Sequence, residues 1–363
     1  MTGNMNQRDD SERLVEEVAG AIARRSALAV RGGDSKSFLS RGRPVDSVVL
    51  DTRSHCGIVR HEPTELVITA RAGTPVAELS AVLDGAGQML ACEPPEFGGR
   101  ATIGGVVASG LSGPRRPWAG AMRDFVLGCR LITGEAKHLR FGGEVMKNVA
   151  GYDMSRLAAG SFGCLGLITE VSLKVLPKPR ASLSLMLDVT VRDALSSLPS
   201  WRQAGVPVTG ACHVDGRLYI RLEGGEGSVA SAHAHMGGES QDMAFWTRLR
   251  EFQLPFFDDS RPLWRLSLPG ARRLGSLPGD FMLDWGGAQC WLKSTASSEE
   301  IRALAQAAGG HATRYTPPAA AESQEDDGPF TPLSPPLARL HSNLKARLDP
   351  HGIFNPGRLY AGI

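Results

Sequence analysis

At 363 residues the chain is long enough for about two domains and is too long for a lone small module. Its make-up, 6% aromatic and 21% charged with 43 glycines and 23 prolines, suits a folded chain rich in turns and argues against disorder. A formal net charge of +2 without a dense Lys/Arg tract argues against a nucleic-acid partner, and no apolar run approaches the ~20 residues a spanning helix needs.

The polar start MTGNMNQRDDSER lacks the apolar stretch of a signal peptide, so a cytoplasmic location is expected. The six cysteines, Cys56, Cys92, Cys129, Cys164, Cys212 and Cys290, contain no pair at C-x-x-C spacing. Neither a zinc ribbon nor an iron–sulfur cluster is therefore encoded, and any one-electron relay belongs to a partner.

Leu14, Val15, Val18 and Ile22 fall at helical spacing and predict an amphipathic helix near residues 10–25. A short apolar strand at 27–30 runs straight into Arg31-Gly32-Gly33-Asp34-Ser35-Lys36. Strands follow at 48–50 and 66–70, then a helix with Thr74 as N-cap, Pro75 as first helical residue, and Gly85 or Gly87 as stop. Residues 92–113, CEPPEFGGRATIGGVVASGLSG, form a loop-rich stretch whose glycines permit positive φ and close backbone approach. A strand pair at 125–132 and 136–141 turns at Thr133-Gly134-Glu135. After a short helix in GYDMSRLAAG, Leu167, Thr169, Val171, Leu173 and Val175 alternate with Ile168, Glu170, Ser172 and Lys174 as in a strand.

Pro177-Lys178-Pro179 marks a domain boundary. Beyond it, strands near 183–189 and 217–222 and a helix near 299–308 suggest a smaller α+β domain. Residues 316–336, rich in Pro, Ala and acidic side chains, predict a mobile linker. The last segment has a helical apolar face, Leu337, Leu340, Leu344 and Leu348, then the breakers Asp349-Pro350 and Asn355-Pro356-Gly357, and it must dock, most simply on the first domain. The expected organisation is a first domain at 1–180, a smaller cap or substrate domain at 181–330 with the linker at its end, and a returning tail at 331–363.

Successive glycines let main-chain N–H groups curl around an anion, and residues 31–36 have the composition for such a nest. Taken alone this run is more often an ordinary turn. A Rossmann fingerprint is missing and no Gly-Lys step exists for a Walker loop. Two further clusters change the balance: Thr102-Ile103-Gly104-Gly105 with Ala108-Ser109-Gly110-Leu111-Ser112-Gly113, and Gly160-Ser161-Phe162-Gly163-Cys164-Leu165-Gly166. Small residues at this density let a planar ring lie against main chain, whereas a plain helix-to-strand turn needs one glycine and hardly three.

In order and spacing the three clusters resemble the FAD-binding domain of the vanillyl-alcohol oxidase and p-cresol methylhydroxylase superfamily. Within it PTELVITARAGTP, EPPEFGGRATIGG, SGLSGPRRPWAG, RFGGEVMKNVAGYDMSRLAAGSFGCLGLITEVSLKVLP and DPHGIFNPGR are similar to the family of FAD-binding subunits of bacterial glycolate oxidase, or glycolate dehydrogenase. The likeness spans roughly residues 28–180 and the last 20. It implies an α+β fold: a p-cresol-methylhydroxylase-type (PCMH-type) FAD-binding domain of two subdomains, a smaller α+β cap, and a tail returning to the FAD domain. It also implies that Gly32, Gly33, Asp34, Ser35 and Lys36 cradle the pyrophosphate. Thr102, Ile103, Gly104, Gly105 and Ala108 would line the flavin and ribityl chain, with Ser112, Gly113 and Pro114 continuing that wall. Gly160, Gly163, Gly166 and Ile168 would lie along the diphosphate and adenosine, and Asn355 and Arg358 would close over the isoalloxazine edge. Some relatives attach the flavin through a His or Cys; Asp34 and Ser35 stand in that neighbourhood, so dissociable FAD is expected.

Oxidation of a 2-hydroxy acid needs a base and cationic donors for the carboxylate. Arg115 and Arg116, beside Trp118, have the planar fork for a carboxylate but could equally face solvent or a partner. Lys147, Asn148, Tyr152 and Asp153 echo a segment near the flavin in related hydroxy-acid dehydrogenases, although Tyr152 also fits a core position. The pair His233 and His235 lacks a third ligand, so no metal is expected. The resemblance implies a complex with a second flavoprotein subunit and an iron–sulfur subunit, peripheral to the inner membrane through these partners. Two functions compete: a flavin site that itself oxidises glycolate or a similar acid, and an FAD-bearing relay or assembly subunit whose chemistry is done next door.

Overall fold

A computed structural model describes residues 7–41, 46–143, 152–270, 274–316 and 328–363. The chain divides into two compact units. Unit 1 comprises Met1–Ser112, Ala121–Pro177 and Pro332–Ile363; unit 2 comprises Gly113–Gly120 and Lys178–Thr331.

In unit 1, helix α1 (Ser11–Arg24) buries Leu14, Val18 and Ala21, the stripe that helical spacing selects. It stops at Arg25, whose left-handed φ of 52° turns the chain into β1 (Leu28–Arg31). β1 pairs in parallel with β2 (Val48–Asp51), from Leu28 opposite Val48 to Arg31 opposite Asp51. β3 (Ile58–Glu62) and β4 (Val67–Arg71) precede α2 (Val76–Gly85). The expected Thr74 cap is corrected here: the residue before the helix is Pro75, and Thr74 Oγ1 instead donates to Arg71 O at 2.7 Å and accepts from Gly57 N at 2.9 Å. That hydroxyl stitches two loops together rather than ending a helix.

Helix α3 (Ile103–Ser109) is followed, within unit 1, by β5 (Val126–Ile132), β6 (His138–Gly142), α4 (Met154–Ala158) and β7 (Leu167–Lys174). The sheet order is β3-β4-β7-β5-β6, antiparallel throughout. In central β7 the buried hydroxyls pair rather than meet water: Ser172 Oγ lies 2.8 Å from Thr69 Oγ1, and Thr169 Oγ1 lies 2.9 Å from His138 Nε2.

Unit 2 opens with β8 (Ala181–Asp188), α5 (Val191–Gln203), β9 (Val208–Val214), β10 (Arg217–Gly224), α6 (Glu226–Met236), β11 (Glu239–Gln241) and α7 (Ala244–Arg250). β12 (Leu263–Ser267), β13 (Asp280–Asp284), β14 (Gln289–Lys293), α8 (Ser298–Ala307) and β15 (His311–Arg314) complete it. The eight strands form one sheet, β11-β8-β10-β9-β13-β14-β12-β15. Leu218, Ile220 and Leu222 pack with Ala194 of α5 and Val229 of α6, while Trp264, Leu266 and Leu292 pack with Ile301 and Ala305 of α8. The two-residue period sends Arg221 and Glu223 to the face of β10 opposite Leu218, Ile220 and Leu222.

Two expectations near the C-terminus are corrected. Residues 328–331 are pinned to β15: Arg314 N donates to Pro329 O at 2.8 Å and Ala312 N to Thr331 Oγ1 at 3.1 Å. Pro335, taken with the linker, starts helix α9 (Pro335–Leu348), because proline at a first helical position loses no hydrogen bond. The remainder of the expected linker, 317–327, lies outside the described residues. Along α9 the apolar face reading fails at its start, where Leu337 and Leu340 are 48% and 53% exposed, and the buried residue of the helix is Lys345. Lys345 Nζ donates to Asp349 Oδ2 at 2.7 Å and to the carbonyls of Phe354 (2.7 Å) and Cys164 (2.8 Å). Polar anchoring, which no hydropathy pattern displays, thus returns the tail to unit 1.

Candidate functional site

The parallel pair β1–β2 ends at Arg31 and Asp51, and the residues just beyond, Gly32 and Thr52, line a cleft in unit 1. The first wall is the loop Gly32–Ser37. A Cβ on Gly33 would stand 1.6 Å from Arg100 O, and one on Gly32 would stand 2.5 Å from Thr102 Oγ1. These glycines therefore let the loop lie against main chain 100–102. The left-handed residue in this loop is Asp34, at φ 54°, and neither Gly32 nor Gly33 is left-handed. Among the described residues the amides of Gly32, Gly33 and Ser35 make no hydrogen bond.

The second wall is α3, which brings Thr102, Gly104, Gly105, Ala108 and Ser109 to the cleft. Gly104 allows the helix to touch β4's end, since a Cβ there would be 2.6 Å from that of Ala72. Thr102 is 5% exposed, and its Oγ1 is buried without a hydrogen-bond partner. A buried hydroxyl left unsatisfied is costly, and here it borders an open cleft. The third wall is Phe162, Gly163, Gly166, Leu167 and Ile168, and the tail adds Asn355 and Arg358. Lys36 is buried, with Nζ 3.1 Å from Ser35 Oγ and 5.4 Å from the Phe97 ring centroid; Asp34 lies 3.6 Å from Arg31. Among the described residues of the lining, Lys36 and Arg358 outnumber the one carboxylate, a balance suited to an anion.

Of the residues expected to bind cofactor, Gly32, Gly33, Asp34, Ser35, Lys36, Thr102, Gly104, Gly105, Ala108, Gly163, Gly166, Ile168, Asn355 and Arg358 meet at this cleft. Five do not line it. Ile103 is fully buried core. Ser112 Oγ accepts from Met122 N at 2.9 Å. Gly113 and Pro114 belong to unit 2, where Gly113 O accepts from Trp285 Nε1 at 3.0 Å. Gly160, at φ +83°, packs beneath the left-handed Gly110 that ends α3. Sequence reading missed Val30, Ser37, Thr52, Ala72, Ser109, Phe162 and Leu167. Thr52 could have been found from the habit of ligands to sit at the carboxyl ends of parallel strands, had the β1–β2 pairing been read.

The residues considered for catalysis do not gather there. Arg115 lies in unit 2 and forks onto Glu223, with Nη2 3.0 Å from Oε1 and Nη1 on Oε2. Both side chains are nearly inaccessible, so neither the substrate-clamp nor the solvent-facing reading describes this arginine. Arg221 completes the cluster: Nε donates to Thr209 Oγ1 at 3.1 Å, and the guanidinium stacks 5.1 Å from the Trp246 ring. Burial alone would push the Glu223 carboxyl up, but Arg115 and Arg221 hold it below the usual range. Arg116 sits 4.5 Å from the Trp285 ring. Lys147 and Asn148 lie outside the described residues, Tyr152 is 72% exposed, and Asp153 caps α4 by accepting from Arg156 N at 3.1 Å. Cys164, next to Gly163, is buried; burial pushes its thiol up, and its Sγ lies 3.6 Å from Asn355 O.

Among the described residues no group of three or more His, Cys, Asp or Glu could hold a metal ion, and no helix is long and apolar enough to cross a membrane. Residues 8–142 match the family described as an FAD binding domain. The fold is shared with alkyldihydroxyacetonephosphate synthase, at a TM-score of 0.67 and 18% identity over 95% of this chain and 75% of that one. Glycolate oxidase subunit GlcD of Bacillus subtilis is 40% identical over 85 residues, 23% of this chain and 18% of that subunit. Glycolate oxidase subunit GlcE of Escherichia coli K12 is 56% identical over 355 residues, 98% of this chain and 99% of that subunit. With its FAD binding domain and end-to-end similarity, the chain belongs to the family of glycolate oxidase subunit GlcE.

Proposed function

We propose that the unit 1 cleft holds FAD without a covalent bond, and that the chain serves as the FAD-bearing subunit of a glycolate, or 2-hydroxy-acid, oxidase complex. The observation that carries this is the convergence of three small-residue segments, 32–36, 102–109 and 163–168, on one cleft bordered by the unpartnered Thr102 Oγ1. Gly32, Gly33 and Ser35 would offer main-chain amides, and Lys36 a cation, to the pyrophosphate; Thr102 Oγ1 would gain its missing partner. Bound there, FAD supplies hydride acceptance and one-electron transfer. The cleft is lined by no His, Cys or Tyr among the described residues, which supports a dissociable cofactor.

A second reading, that the chain bears FAD without turning over substrate itself and relays electrons or supports assembly, rests on the same lining. An alcohol oxidation needs a base for the hydroxyl proton. Among the described residues the one carboxylate in the cleft, Asp34, lies by Arg31, and the fork of Arg115 is taken by Glu223. The partners would be a second flavoprotein subunit and an iron–sulfur subunit, with the complex on the cytoplasmic side, peripheral to the inner membrane through them. The test is an absorption spectrum of the purified chain before and after anaerobic glycolate or D-lactate. Bleaching of a yellow chain supports intrinsic turnover; a yellow, unbleached chain that is reduced once the partner subunits are added supports the relay. Failure to take up added FAD would overturn both.

A further inference from the structure

Asn355 touches the cleft, yet both ends of its carboxamide are already engaged with main chain. Oδ1 accepts from Val30 N at 2.8 Å, and Nδ2 donates to Phe162 O at 2.7 Å. Its own N–H donates to Leu28 O at 2.9 Å. Val30 is on β1, two residues before Gly32, and Phe162 is one residue before Gly163, so one side chain ties the first and third walls together. Phe162 extends the tie, since its N–H donates to Ala108 O of α3 at 2.8 Å. A single hydrogen-bonded path thus runs through all three walls.

The surrounding backbone is shaped around this contact. Asn355 is 4% exposed and sits in the left-handed region at φ 41°, which asparagine tolerates better than most side chains. Phe162 holds φ 52°, an unfavourable conformation for a bulky residue, while presenting its carbonyl to Asn355. Gly163, at φ +71°, leaves the room: a Cβ there would lie 2.8 Å from Asn355 Nδ2. The tail carrying Asn355 is fixed independently by Lys345 and Asp349, whose carboxylate accepts from Ile353 N at 3.1 Å and Phe354 N at 2.8 Å.

We propose that Asn355 is a positioning residue, a brace between Val30 and Phe162 that sets the spacing of the cleft's first and third walls and so governs how tightly the cleft retains its dinucleotide. The retention part rests on the FAD reading above; the brace itself does not. Asn355→Asp is the informative change, because it keeps the shape and the acceptor for Val30 but places a second oxygen against Phe162 O. Only the protonated acid can donate there. Among the described residues, the ionisable groups bonded to Asn355, to its neighbour Phe354 or to its partner Val30 are Arg358, Lys345 and Asp349 on the tail and Cys164 on the third wall, and Arg31 and Asp34 follow Val30 along the first wall. All are shared with wild type, whose own pH profile is the reference.

The experiment measures amide hydrogen exchange in the cofactor-free chain and the FAD dissociation constant, for wild type and Asn355→Asp, from pH 5 to 8. At pH 8 exchange should rise in segments 30–37 and 161–166 together, and FAD should bind about tenfold more weakly, the cost of one broken buried hydrogen bond. Both effects should shrink toward pH 5, which mere loosening of the tail would not produce. Unchanged exchange in both segments at pH 8 would overturn the brace. Exchange that rises while FAD affinity stays at the wild-type value would overturn its control of retention. If wild type takes up no FAD, the cofactor reading fails and the exchange result still decides the brace.

Discussion

The cleft of unit 1 and the Glu223 cluster of unit 2 are both dense in buried polar groups, and they differ in where their hydrogen bonds go. Around Glu223 both carboxylate oxygens are engaged: Arg115 forks onto them, and Arg221 is held by Thr209 and Trp246. Around Thr102 the capacity is left open, with an unpartnered buried hydroxyl and loop amides lacking main-chain acceptors. A closed set stabilises a unit, whereas an open one needs a ligand to be complete. Arginine is therefore a poor guide to a site by its chemistry alone; what its fork already holds decides.

The two regions can be followed separately. All six tryptophans, at 118, 201, 246, 264, 285 and 291, belong to unit 2, so their fluorescence reports its unfolding, while bound flavin reports the cleft. The largest effect is expected from Glu223→Ala, which strands two buried guanidinium groups: the tryptophan-monitored transition should lose about 3–5 kcal/mol. FAD affinity of the folded variant should stay within about threefold of wild type, since the unsatisfied cleft groups are untouched. Loss of FAD binding with an unchanged transition would break the comparison.

Gly33→Val should do the reverse. Its Cβ would overlap Arg100 O, and overpacking of this kind costs about 1–3 kcal/mol, enough to weaken FAD binding up to about 100-fold while the tryptophan transition stays in place. Equilibrium FAD titration measures it. Smaller again is Thr102→Val, which removes the orphan hydroxyl without changing shape: a weakening of about three- to tenfold and no loss of stability in the cofactor-free chain are expected. The smallest effect is in the acid limb of stability. Because Glu223's carboxyl titrates lower in the folded chain than the usual ~4.3, its contribution is complete above that pH and disappears as pH falls through the folded value. Glu223→Gln should flatten that limb in tryptophan-monitored unfolding below about pH 4 and leave the slope from pH 6 to 8 alone.

What the sequence revealed follows the same division. The β7 segment was legible because local alternation encodes it, and the three cleft segments because missing side chains are visible one residue at a time. The bracing contacts of Asn355 are invisible in sequence because its partners, Val30 and Phe162, are 325 and 193 positions away. In sequence Arg115 fits a clamp and a solvent- or partner-facing position equally, because Glu223 lies 108 positions on. Leu337 and Leu340 look like a buried stripe, but docking of their helix is governed by Lys345 and the carbonyls it finds. Long-range polar pairing has no periodicity to betray it.

Hydrogen exchange of the wild-type chain with and without FAD tests the central claim most directly. Added FAD should slow exchange at 32–37, 102–109 and 161–168 together, with unit 2 little changed. Protection confined to residues 178–331, or none at any of the three segments despite bound FAD, would contradict it.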